Sequence, residues 1–115
     1  MHINSLINIL ELEFPASSAL DGDRIGLQIK GNTNEIHNVI FAYELDNNVI
    51  DEALSNNAQM IIVFHPLIFF PLSSITEDER VGDLVSRIIR ANLSLYVVHT
   101  NFDTHPQGTN NIIAE

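Results

Sequence analysis

Three short apolar runs, alternating with two stretches of helical periodicity, constrain this chain more than any other feature of it. Residues 39–43 (VIFAY), 60–63 (MIIV) and 95–98 (LYVV) are continuous and rich in β-branched and aromatic residues. Strands covered on both faces have this pattern. After the first run, Val49, Ile50, Ala53 and Leu54 share one helical face. Asn47 or Asn48 is the expected N-cap there, and Asp51 and Glu52 suit the positive first turn. After the second run, Val81, Leu84, Val85, Ile88 and Ile89 follow the i, i+3, i+4, i+7, i+8 pattern of an amphipathic helix. Thr76 and Glu79 have capping-box spacing, acids lie early and Arg87 and Arg90 lie late. Such a β-α-β-α-β alternation predicts a parallel sheet joined by right-handed crossovers. The expected fold is α/β, a three-layer sandwich with a mostly parallel central sheet flanked by helices.

The remaining segments fit around that frame. Ile3, Leu6, Ile7 and Leu10 recur at helical spacing after Asn4 as cap, and Phe14-Pro15 ends the helix, because proline disfavours the α conformation in the residue before it. Gly26-Leu27-Gln28-Ile29 alternates as a short strand near a sheet edge. Thr109 reads as the cap of a further helix opened by Ile112 and Ile113. Residues 1–115 are therefore expected to be one α/β domain that forms part of something larger.

Composition narrows the function classes. Five Lys and Arg stand against fifteen Asp and Glu, a formal net charge of -10, which repels a phosphate backbone and an anionic membrane surface alike. Nucleic-acid and membrane partners are thus disfavoured. Cysteine is absent, which removes disulfides, thiolate-zinc sites and thiol nucleophiles together. The N-terminal MHINSLINILELEFP lacks the basic n-region and cleavage site of a signal peptide, and no run is long enough to span a bilayer. The expectation is a soluble, cytoplasmic protein.

In an open parallel sheet, ligands bind outside the carboxyl ends of the strands. His65 follows MIIVF and His99 follows LSLYVV, with Asp103 four residues after His99. Neutral imidazole and carboxylate are natural ligands for a divalent metal ion such as zinc, manganese, iron or nickel. His65, His99 and Asp103 are the candidate metal ligands, weighed against a plain role in ending strands and making turns. His105, before Pro106, is read as a surface residue, and His2 and His37 as solvated. The run LIFFPL at 67–72 is either an exposed patch for a partner or a loop folded over the core. Nucleophile-elbow, G-x-G-x-x-G and P-loop spacings are absent. An unrelated metal-dependent phosphoesterase would require further ligands that the sequence does not offer.

Taken in order, GLQIKG at 26–31, VIFAYELDNNVIDEA at 39–53, IIVFHPLIFFPL at 61–72 and LYVVHTNFDTHPQGTNN at 95–111 resemble the Nif-three-like family, whose members are catalogued as GTP cyclohydrolase I type 2 homologues. The resemblance spans nearly the whole chain and rests on a His-Pro after one strand combined with H-x-x-x-D after another. It implies two related α/β domains, of which this is the N-terminal half, a toroidal homo-oligomer (a hexamer), and a dinuclear metal centre facing an internal cavity. His65 matches the second histidine of the family's His-His-Pro pattern, with Phe64 in place of the first, Asp103 matches the metal-binding aspartate, and His99 the histidine of H-x-x-x-D. The activity implied is metal-dependent hydrolysis, with His65 and Asp103 holding the ions. The alternative is a catalytically inactive interaction or assembly module of the same fold, which Phe64 favours. A missing C-terminal domain is the partner the resemblance suggests.

Overall fold

The alternation of apolar runs and amphipathic segments builds an α/β sandwich around one sheet. A computed structural model describes residues 1–13 and 26–98 of the chain. In chain order the elements are α1 (Ile3–Glu13), β1 (Gly26–Ile29), β2 (Val39–Ala42), α2 (Asn47–Ser55), β3 (Met60–Val63), α3 (Arg80–Arg90) and β4 (Ser94–Val97). The strand order is β1-β4-β3-β2. β2, β3 and β4 are parallel, with Val39 beside Met60 and Ile61 beside Leu95, whereas β1 runs antiparallel along β4 and is irregular between Leu27 and Ile29. The mostly parallel sheet and the edge position of β1 agree with the sequence.

Burial on both faces explains why β3 and β4 carry no polar alternation. Ile61, Val63, Leu95 and Val97 face one core, shared with Ile50 and Ala53 of α2 and with Leu84, Val85 and Ile88 of α3. Met60, Ile62 and Tyr96 face the other, under Ile3 and Leu10 of α1. Because side chains alternate along a strand, one continuous apolar run serves both layers. Ser94 is the one fully buried polar side chain among the described residues, and its hydroxyl accepts a 2.9 Å hydrogen bond from the Gly31 N–H.

The helix starts differ from the sequence expectation. At α1 the Asn4 N–H donates to Nδ1 of His2 at 3.0 Å, so the histidine side chain, not Asn4, caps the helix. At α2 the cap is Asp46, whose extended backbone lets its carboxylate accept from the Val49 N–H at 2.8 Å, and Asn47 and Asn48 lie inside the helix. α3 begins at Arg80 after Glu79, and no side chain caps it, so the Thr76–Glu79 capping box does not form. The reason is that Thr76 folds back over the first turn: an added Cβ on Gly82 would lie 2.5 Å from the Thr76 carbonyl oxygen. Arg87 and Arg90 lie in the last turn as expected. Arg87 pairs with Asp51 and donates to the Asn47 side chain at 2.9 Å, and Arg80, at the start of the helix, donates to the Leu45 carbonyl at 2.9 Å.

Tyr96 is the most exacting residue of the α1 side. It is only 4% exposed, and its hydroxyl finds no hydrogen-bond partner among the described residues. Burial raises its pKa above the ordinary phenol value, with a further contribution from the negative charge of Glu11. Since the folded-state pKa lies above the unfolded one, the associated stability is complete below about pH 10 and is lost as pH rises through the folded value. Tyr96→Phe keeps the packed ring and removes the titrating hydroxyl, so it is expected to stay within about 1 kcal/mol of the wild type at pH 7. It should also lose less stability between about pH 9 and 11. Thermal denaturation across that range checks both.

Candidate functional site

The parallel strands deliver their carboxyl ends to one side of the sheet, and the backbone laces those exits together. The N–H groups of Phe64 and His65 both donate to the Tyr43 carbonyl, at 3.1 and 3.0 Å, and the Val98 N–H donates to the Val63 carbonyl at 2.9 Å. The chain leaving β3 is thus fixed against the chain leaving β2. His65 is exposed at this rim, and its ring lies against Tyr43 with centroids 5.0 Å apart and planes 52° apart. Phe64, by contrast, is half-buried and packs on the α1-side core. At this position a packing side chain stands beside a solvent-facing imidazole.

His99 and Asp103, the other expected ligands, lie outside the described residues, as does His105. The structure therefore places one member of the expected set, His65, at the strand ends. Among the described residues, no three His, Cys, Asp or Glu side chains come close enough to hold a metal ion. His2 and His37 are exposed, as expected. Near them, Glu35 has a lowered pKa, first because the N-terminal ammonium donates to its carboxylate and then through the positive charges of that ammonium, His37 and His2. The ammonium nitrogen lies 3.1 Å from Glu35 Oε1.

The segment after His65 supplies the other feature of this region. Leu67 is buried in the core shared with α2 and α3, while Phe69 and Phe70 are exposed and meet edge to face at 5.0 Å. LIFFPL divides between core and surface: its inner end is buried and its outer end is exposed. What fixes the boundary is Gln28 of β1. Its Nε2 donates to the Ile68 carbonyl at 2.7 Å and its Oε1 accepts from the Ile68 N–H at 3.0 Å, as a neighbouring strand would. An open apolar cavity of about 270 Å³ lies here, lined by Gln28, Ile68, Phe69, Phe70 and Pro71. Sequence reading missed Gln28 and Tyr43 as positioning residues. Their partners lie 40 and 22 residues away along the chain, so no local pattern marks them.

Comparison with known proteins gives a consistent result. A family model described as Duf34/NIF3 (NGG1p interacting factor 3) matches residues 1–115. The chain is 36% identical over 111 residues to the GTP cyclohydrolase 1 type 2 homolog of Halalkalibacterium halodurans, covering 96% of this chain and 30% of that protein. It is likewise 36% identical over 110 residues to the protein of the same name from Bacillus subtilis, again covering 96% of this chain and 30% of the relative. A Bacillus cereus protein related to NIF3 superposes with a TM-score of 0.89 at 34% identity, over 99% of this chain and 31% of that structure. The chain thus spans about 30% of the length of these curated relatives.

Proposed function

This chain belongs to the Duf34/NIF3 family, and from that membership we propose that it is a divalent-metal-binding protein whose ion is held at the strand ends by His65, Asp103 and His99. The observation that carries the reading is His65. It leaves the carboxyl end of a parallel strand, where ligands of such sheets bind, with its imidazole exposed and its backbone pinned to Tyr43. The donor set of two imidazoles and one carboxylate suits zinc, manganese, iron or nickel. When bound, such an ion supplies Lewis-acid assistance to hydrolysis. The name carried by the curated relatives motivates the enzyme half of the proposal, a metal-dependent hydrolase.

Within this reading the chain's own residues bind and orient. The Tyr43 ring limits the rotation of the His65 imidazole, and the two hydrogen bonds to the Tyr43 carbonyl fix the height at which it leaves the sheet. Phe64 offers no donor atom, so the rest of a full ligand shell would come from other segments or another copy, in a cytoplasmic homo-oligomer. Among the described residues no helix is long and apolar enough to cross a membrane. The packing of Phe64 into the α1-side core supports a second reading, an assembly module of the same fold without chemistry.

Elemental analysis of untagged protein loaded with zinc, manganese or iron separates the two. The metal reading expects near-stoichiometric ion in the wild type and a loss of affinity of at least about 10–100-fold in His65→Ala and in Asp103→Ala, since even outer partners of metal ligands are worth that much. A wild type that takes up no metal leaves the assembly module.

A further inference from the structure

We propose that the α-amino group of Met1, the Glu35 carboxylate and the His37 imidazole form a second divalent-cation site, for an ion of the nitrogen-preferring class to which zinc belongs. His37 stands two residues before β2, at the amino end of the parallel strands, whereas His65 leaves their carboxyl end. The two sites are therefore separate. The start of the chain lies along residues 34–36 as a short antiparallel pair. The Met1 ammonium donates to the Ile36 carbonyl at 3.0 Å, the Ile36 N–H donates to the Met1 carbonyl at 2.7 Å, and the Ile3 N–H donates to the Asn34 carbonyl at 2.7 Å. His2 stands opposite Glu35 in that pairing. These bonds leave the terminal nitrogen 3.1 Å from Glu35 Oε1. Two donors about 2.0–2.2 Å from one zinc ion lie roughly 3 Å apart at a coordination angle of about 100°, so the pair has the separation that a shared ion requires.

The third donor comes from the same face. Glu35 and His37 are exposed and Ile36 between them is buried, so carboxylate and imidazole rise on one side of an extended segment. After the ammonium itself, the positive charges of His37 and His2 act on Glu35, so both rings stand near its carboxylate. His37 is held by its backbone N–H, which donates to Gln59 Oε1 at 2.7 Å, and its ring makes no hydrogen bond or ion pair among the described residues. His2 keeps Nδ1 on the Asn4 N–H and stays with the helix cap. Two side chains alone fall short of the three protein donors of an open zinc site, and the α-amine supplies the third. On binding, the ammonium releases one proton to solvent and gives its lone pair to the ion, while a remaining N–H keeps the Ile36 carbonyl. Two nitrogen donors favour zinc over magnesium or calcium, which take oxygen. The ion ties the start of α1 to the chain entering β2, and α1 covers the core that holds Tyr96 and Phe64.

The test titrates zinc into the full untagged chain carrying His65→Ala, so that the strand ends do not enter the count. At about pH 8 one equivalent should bind and the thermal midpoint should rise with zinc concentration. Adding His37→Ala or Glu35→Gln should weaken binding by at least about 10-fold, and N-terminal acetylation, which removes the amine lone pair, should do the same. Adding His2→Gln should leave it unchanged. The substituted residues are all exposed, so the circular dichroism spectrum should be the same throughout. A second equivalent in the wild type that His65→Ala removes belongs to the strand ends, so the two sites succeed or fail independently. No uptake by the His65→Ala chain, uptake that survives acetylation or His37→Ala, or a loss on His2→Gln in place of His37→Ala overturns the proposal.

Discussion

Ile61→Ala is expected to destabilise the protein by about 2–5 kcal/mol, enough to remove a large fraction of the 5–15 kcal/mol typical of a domain. Ile61 is fully buried at the centre of the sheet, with Ile40 on one neighbouring strand and Leu95 on the other. Its side chain enters the core shared with α2 and α3, where Ile50, Ala53 and Ile88 are also fully buried. Truncation there leaves a cavity that the surrounding strands and helices can close only in part, so the cost exceeds the lost transfer free energy. The thermal midpoint should fall by about 8–20 °C at roughly 4 °C per kcal/mol. Phe41→Ala provides the contrast. Phe41 lies on the edge strand β2 and is 39% exposed, so its truncation should cost less than about 1.5 kcal/mol. Denaturant titration with an unchanged slope tests both, and an equal loss at the two positions would refute the packing account.

The consequence for the site follows from the same strand. β3 carries His65 out of the sheet two residues after Val63, and the rim is held by backbone bonds between the exits of β2, β3 and β4. A loosened β3 would misplace the imidazole even in molecules that remain folded. Under the proposed metal reading, core truncation and direct loss of His65 are therefore distinguishable: the first should lower stability and metal uptake together, and the second metal uptake alone.

How much of this was legible in the sequence depends on the range of the interaction. The buried strands at 60–63 and 94–97 and the α3 stripe are written in local periodicity, because burial on one or both faces imposes it on every residue of the element. The fold class follows from their alternation. The caps were less legible, since Asp46 and Asn47 are both good cap residues and only the backbone at Asp46 decides between them. Thr76 and Glu79 carried a correct local signal for a capping box, which a tertiary contact overrode. At the candidate site, His65 was visible because a histidine directly after an apolar run is locally conspicuous. The Gln28 clip and the Tyr43 ring were not, because each acts on a residue from a different part of the chain. In sequence Phe64 marks only the absence of a donor, whereas in the fold its ring packs on the α1-side core.

The override at α3 leads to a prediction whose sign opposes ordinary helix propensity. Gly82 lies in the first turn of α3, and in an unconstrained helix interior its replacement by alanine gains roughly 1 kcal/mol. Here a Cβ would stand 2.5 Å from the carbonyl oxygen and 2.8 Å from the nitrogen of Thr76, and both are backbone atoms that no rotamer change can move aside. Gly82→Ala is therefore expected to lose about 1–3 kcal/mol, the range for overpacking a tight site, in place of the gain. Gly82→Val should lose more, because its branched carbon adds bulk at the same contact. The strain falls on residues 73–76, just after the aromatic loop, so the exposed ring pair should also shift. Ser86→Ala, one turn later on the same helix and half-buried, lacks the contact and should hold or raise stability by a few tenths of a kcal/mol. Chemical denaturation of the three variants decides the matter: a stabilised Gly82→Ala would mean that the chain at Thr76 gives way freely and does not set where α3 begins.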